Sequence, residues 1–341
     1  MGSRNIKTIK IVAGALALAL AGVANAGCKI VQLAEWPVSH ANNRPLVDGK
    51  INGQPVKVLI DTGSNATFVW RWTADALGLP LSGVDRVRIF GAGGEAQIAA
   101  TMVKELEIGA YRANSTRLVV MGSDHEKRQE SGVVLGDEFF SSFSTEFDIA
   151  HGFVRLLRPE GCKADQLAYW SNTYSLAELQ PTRIENPHIL LTVMVNGKHV
   201  NAILDTGAPT SMLDASVAER IGIKPGAAAE TTAVRGLGPE SFQTWVGTFD
   251  SFAIGDEMIR NVRLRVGDMF GKDKVVSTGS RIGRSVWADS TEMLLGFDFL
   301  LSHRVLVLPK EHAVVFTYNG GPLFQYVAPP TEQAVDSAKA P

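Results

Sequence analysis

The chain repeats itself, and this repetition limits its possible folds more than any other feature. Residues 52–69 read NGQPVKVLIDTGSNATFV, and residues 196–213 read NGKHVNAILDTGAPTSML. Each copy runs from Asn-Gly through an apolar stretch to Asp-Thr-Gly and a second apolar stretch. Asn-Gly beside such a run is a strong hairpin signal. Further landmarks recur in the same order. A helix-like stretch closes on a Gly in TADALGLP (73–80) and DASVAERIGIKP (214–225), with Asp214 placed to cap the second and Gly222 to end it. Gly-rich turns follow in FGAGGEA (90–96) and RGLGPES (235–241). Next come residues 104–120 and 250–266, whose apolar–polar alternation around a Gly predicts hairpins. Each half then closes on an apolar-apolar-Gly segment, VVLGDEFF with Gly136 or MLLGFDFLL with Gly296. Two copies of one supersecondary plan predict a pseudo-symmetric, all-β protein of two lobes.

The rest of the chain arranges itself around the duplication. Arg4, Lys7 and Lys10 precede an apolar run from Ile11 to Val23 and an Ala24-Asn25-Ala26 cleavage pattern, so residues 1–26 read as a signal peptide. The expected organisation is then a first lobe over 27–157, a connector over 158–187, a second lobe over 188–326 and a disordered tail over 327–341. Extra residues 267–290 in the second copy read as an inserted surface loop. The connector is too apolar for a free linker and is expected to pack on the body. The only cysteines, Cys28 and Cys162, favour one disulfide in an exported protein, with two unrelated thiols as the alternative. A lipid anchor on Cys28 is a lesser alternative, since Asn25 stands where such a signal wants an aliphatic residue. The periplasm is the expected location. A net charge of −2 gives no sign of a nucleic-acid partner.

The chemistry sits in the two Asp-Thr-Gly turns. An Asp at a strand end often makes only an Asx turn. Two of them in pseudo-symmetric halves would meet where the halves pack. Carboxyls that close cannot both ionise easily and share a proton. One can then act as general base on a water while the other, protonated, donates to a carbonyl oxygen. The glycines let backbone approach the carboxyls. On both DTG motifs, their apolar flanks, the Gly-rich turns and the apolar-apolar-Gly segments, the chain resembles the aspartic proteases of the pepsin and retropepsin clan over most of 45–318. The resemblance implies an acid-protease fold of two retropepsin-like β-barrel lobes, arranged as a fused dimer in one chain and acting as a monomer.

Carried over position by position, the resemblance makes Asp61 and Asp205 the catalytic pair of an endopeptidase. Thr62, Gly63, Ser64, Thr206 and Gly207 would support them, with the two threonines bonding across the dyad as a "fireman's grip". Gly136 and Gly296 would brace the loops. Phe90, Gly91, Gly93 and Gly94, and Gly236 and Gly238, would belong to two flaps over a protein or peptide substrate; no Tyr occurs in the first. No metal and no organic cofactor is expected. The alternative is an exported peptide-binding scaffold that keeps the fold without turnover. Only Asp61 is followed by Thr-Gly-Ser, so a Ser64 hydroxyl bonded to its carboxyl would make Asp61 the more acidic member and leave the proton on Asp205. His188, His199 and His303 read as surface or structural, and Asp137 and Asp298 as structural.

Overall fold

The computed structural model of the chain describes residues 28–84, 89–91, 94–123, 128–163, 166–181, 188–226, 231–236, 241–269 and 291–324. The expected signal peptide, the flap positions Gly93 and Gly238, most of the 267–290 insertion and the expected tail lie outside these residues.

Both Asn-Gly pairs form tight hairpin turns with positive φ at each central residue: 50° and 80° at Asn52 and Gly53, and 48° and 71° at Asn196 and Gly197. This geometry matches the twist of the flanking strands. The Asn side chains also tie the turns down. Asn52 Oδ1 accepts from Lys104 N at 2.7 Å, and Asn196 Oδ1 from Ser251 N at 3.2 Å.

Each turn starts a closed six-stranded barrel. In the first half the ring runs Arg44–Ile51, Gln54–Ile60, Val133–Leu135, Phe68–Trp70, Tyr111–Met121 and Ile98–Ile108, and Gly49 pairs with Ile108 to close it. The second ring runs Leu190–Val195, Lys198–Leu204, Met293–Leu295, Met212–Asp214, Glu257–Gly267 and Ser241–Ile254, closed by Val193 against Ile254. The expected hairpins over 104–120 and 250–266 are present, turning at Gly109 and Gly255 with φ of 56° and 55°. The second helix spans Ala215–Arg220; Asp214 accepts from Ser216 N, and Gly222 follows with φ 81°.

Val58, Ile60, Val133 and Leu135 line the first interior, and Val200, Leu204, Met293 and Leu295 the second. Full burial of such a side chain stabilises by about 1.5–3 kcal/mol. The strands that lead into Asp-Thr-Gly are therefore anchored by their own core residues.

A third sheet joins the halves. Its order is Lys29–Pro37, Phe153–Glu160, Ser144–Asp148, His303–Leu308, Ala313–Tyr318 and Ser175–Glu178. Strands of both halves meet where Phe147 pairs with Val305. The connector contributes Ser175–Glu178 to one edge, paired with Ala313–Tyr318. Across this junction the buried Glu146 accepts from Arg155 at 2.6 Å, from Arg304 at 2.9 Å and from the Tyr169 hydroxyl. Cys28 and Cys162 form a disulfide beside the pair Lys29 and Glu160. That bond engages the sulfur a lipid anchor would need. Among the described residues no helix is long and apolar enough to cross a membrane.

Candidate active site

Each Asp-Thr-Gly loop leaves the end of a buried barrel strand, and the two loops lock together across the lobes. Thr62 N donates to Thr206 Oγ1 at 3.0 Å, and Thr206 N to Thr62 Oγ1 at 3.1 Å. The hydroxyls reach one residue further. Thr62 Oγ1 donates to Leu204 O at 2.5 Å, and Thr206 Oγ1 to Ile60 O at 2.6 Å. Both threonines are fully buried. Four bonds at one buried point fix the spacing of the loops, and loss of either hydroxyl would leave polar groups buried without partners.

That spacing presses each carboxyl onto the opposite loop. A Cβ added to Gly63 would lie 2.3 Å from Asp205 Cγ, and one added to Gly207 would lie 2.4 Å from Asp61 Cγ. Only glycine leaves room for each carboxyl to press against the opposite loop, and the two carboxyls influence each other's ionisation. Behind the loops the apolar-apolar-Gly segments press equally close. A Cβ on Gly136 would stand 2.5 Å from Ala66 C, and one on Gly296 2.7 Å from Thr210 C. Asp61 N donates to Leu135 O at 3.0 Å and Asp205 N to Leu295 O at 2.9 Å, so these segments hold the Asp-Thr-Gly loops by backbone bonds.

The dyad is chemically unequal, in the opposite sense to the expectation from Ser64. The Ser64 hydroxyl donates to Ala66 O at 2.9 Å, so it is spent inside its own loop. Asp61 Oδ1 accepts from Gly63 N alone, at 3.0 Å, whereas Asp205 Oδ1 accepts from Gly207 N at 2.9 Å and from Ala208 N at 3.0 Å. Burial raises both carboxyls above the usual range. Asp61, facing the charge of Asp205, is pushed up to about 8. Asp205 is also raised by burial, but its two backbone donors favour its anion. The backbone donors therefore favour the anion on Asp205 over that on Asp61.

Two further groups face the loops, and the sequence reading did not place them there. Arg44 Nε donates to Gly207 O at 2.9 Å, reaching from the first lobe to the second, and its charge lowers both carboxyls. His188 reaches the other way, with Nδ1 3.3 Å from Thr62 O. Of the histidines read as surface or structural, His188 and His303 are buried and His199 is exposed. The available signal was positional: Arg44 and His188 each lie 17 residues ahead of their aspartate (61 − 44 and 205 − 188). Asp298 Oδ1 accepts from Ser211 N, Ser211 Oγ and Phe299 N, which ties the second loop to its bracing segment.

The Gly-rich segments form hairpins in both halves. Ile89–Gly91 pairs with Gly94–Ala96, and Thr232–Arg235 pairs with the start of Ser241–Ile254; Gly236 follows the latter first strand. Among the described residues no group of three or more His, Cys, Asp or Glu is arranged to hold a metal ion.

A search of curated proteins returned no match. The family model described as aspartyl protease matches residues 47–139 and 191–299, one segment in each half and together more than half of the chain. Each matched segment carries one Asp-Thr-Gly loop, its barrel strands and its bracing glycine, and the chain belongs to the aspartyl protease family.

Proposed function

We propose that the protein is an aspartic endopeptidase that hydrolyses peptide bonds with a water placed between Asp61 and Asp205. The reciprocal threonine grip carries this reading, because it holds two buried carboxyls against the opposite loops with unequal sets of backbone donors. Asp205, as the carboxylate, takes a proton from the water while its oxygen bonds to the scissile carbonyl carbon. Asp61 gives its proton to the carbonyl oxygen, and a neutral tetrahedral diol forms. As the C–N bond breaks, Asp205 passes its proton to the leaving amine and Asp61 recovers one from a diol hydroxyl. The two carboxyls thus supply every proton transfer, and the scheme uses no cofactor.

The hairpins around Phe90, Gly91 and Gly94 and around Gly236 are placed to serve as flaps, since glycine allows the changes of φ that closing over a peptide needs. With both halves of the site in one chain, a monomer suffices. The signal-peptide pattern and the disulfide support export, and we assign the protein to the periplasm, acting on exported proteins or peptides.

The test is cleavage of a mixed peptide library from acid to neutral pH. Wild type should cleave. Asp61→Asn and Asp205→Asn should each lose at least about 10³-fold in kcat/KM. Absence of wild-type cleavage throughout that range would leave the peptide-binding scaffold as the better reading.

A further inference from the structure

Beneath the first catalytic loop lies a carboxyl that the hydrolytic scheme does not use. Asp137 follows the bracing Gly136 and is fully buried. Its backbone N–H donates to Ser64 O at 2.7 Å, so it is fixed to the Asp61 loop. Neither carboxyl oxygen makes a well-formed hydrogen bond among the described residues, and the Ile189 N–H favours its anion only as a looser contact. A buried carboxyl left so is costly and calls for an explanation. Its nearest basic neighbour is His188, which is 2% exposed and enters from the other lobe, with Nδ1 3.8 Å from Asp137 Oδ2. The same Nδ1 is 3.3 Å from Thr62 O. A carbonyl can only accept, so Nδ1 carries the hydrogen. One N–H therefore stands between the carbonyl of a grip residue and the carboxyl of Asp137.

We propose that His188 and Asp137 form a titratable latch across the lobe interface that positions the first Asp-Thr-Gly loop. The imidazole N–H bonds the Thr62 carbonyl while Asp137 keeps its proton. It turns toward the carboxylate when that proton leaves. The equivalent position in the other half shows what is unusual here. Arg44 holds Gly207 O with a group that stays charged at any working pH, whereas the first loop is held by a group that can change state. In the second half the residue after the bracing glycine is Phe297, which cannot titrate.

The groups facing the pair keep it neutral in the working range. Burial, then the adjacent Glu138, then Asp61 and, more weakly, Asp205 push Asp137 up to about 8, against the opposing Ile189 N–H. Burial lowers His188 to about 4, against the Thr62 carbonyl. Arg44 lies beyond the dyad and acts on Asp61 and Asp205. Between about pH 4 and 8 the latch is a neutral acid beside a neutral imidazole, and the loop stays held.

The loop's purpose rests on the protease reading; the pair's chemistry does not. Two measurements separate them. His188→Leu should lower kcat by about tenfold or more with KM within about threefold, and His188→Asn, which restores an N–H donor, should recover kcat to within about threefold of wild type. Separately, unfolding midpoints of wild type and Asp137→Asn should be compared from pH 4 to 8. A raised carboxyl pKa in the folded state makes wild type lose stability as pH rises through this window, so the gap should widen in favour of the variant. Equal kcat for His188→Asn and His188→Leu, or a gap that does not vary with pH, would overturn the latch. Absence of wild-type cleavage would instead strike the protease reading, and the pH comparison would still decide the pair.

Discussion

At the scale of single residues, two copies of one aspartate sit in surroundings that differ by one N–H. Asp205 accepts from Gly207 and Ala208, Asp61 from Gly63 only. The duplicated Asp-Thr-Gly was readable in the sequence, since few chemistries need that turn twice. The direction of the asymmetry was not. Ser64 could have bonded the carboxyl or its own loop, and the local path of the backbone decides for Ala66 O. Arg44 and His188 were hidden for a similar reason: each acts on the other lobe's loop, a contact no local pattern reports. Arg44 gives a clear pH prediction. Its charge lowers both carboxyls, so Arg44→Gln should raise the pKa at which the pair first ionises. The acid limb of kcat/KM against pH should then move up by about one unit. An unmoved limb would show that Arg44 serves only to hold Gly207 O.

At the scale of elements, the local signals translated directly. Asn-Gly gave tight turns, Asp214 gave a helix cap, and the alternating stretches gave hairpins. Strand partners further away in sequence were less legible. The strands after each bracing segment join in a third sheet, and that union depends on how two finished barrels pack. The bracing segments themselves make the sharpest prediction here. A methyl at Gly296 would come 2.7 Å from Thr210 C and 2.8 Å from Ala208 O, both backbone atoms that cannot step aside without moving the Asp205 loop. Gly296→Ala should cost about 1–3 kcal/mol in chemical denaturation. On the proposed mechanism it should also lower kcat more than such a loss of stability would explain, because the displaced loop carries Asp205.

At the scale of the whole molecule, the two halves share one foundation. The third sheet sets three strands of the first half beside two of the second, and Glu146 sits where arginines from each converge. The disulfide closes the first half over a separation of 134 residues. A link across so long a loop restricts the unfolded chain strongly, so replacing both cysteines with serine should lower the unfolding free energy by about 2–5 kcal/mol, read from denaturant midpoints. An unchanged midpoint would mean that the Lys29–Pro37 strand holds its place through pairing alone. The unequal donor sets at the dyad have a consequence for orientation. In a dimer of identical lobes a peptide could lie in either sense, because turning it end for end meets the same groups. On the proposed mechanism the acid belongs to one lobe and the base to the other, with Arg44 bonded to one loop and His188 facing the other. On that reading the site has a head and a tail, and an N-to-C peptide is expected to thread it in one preferred direction.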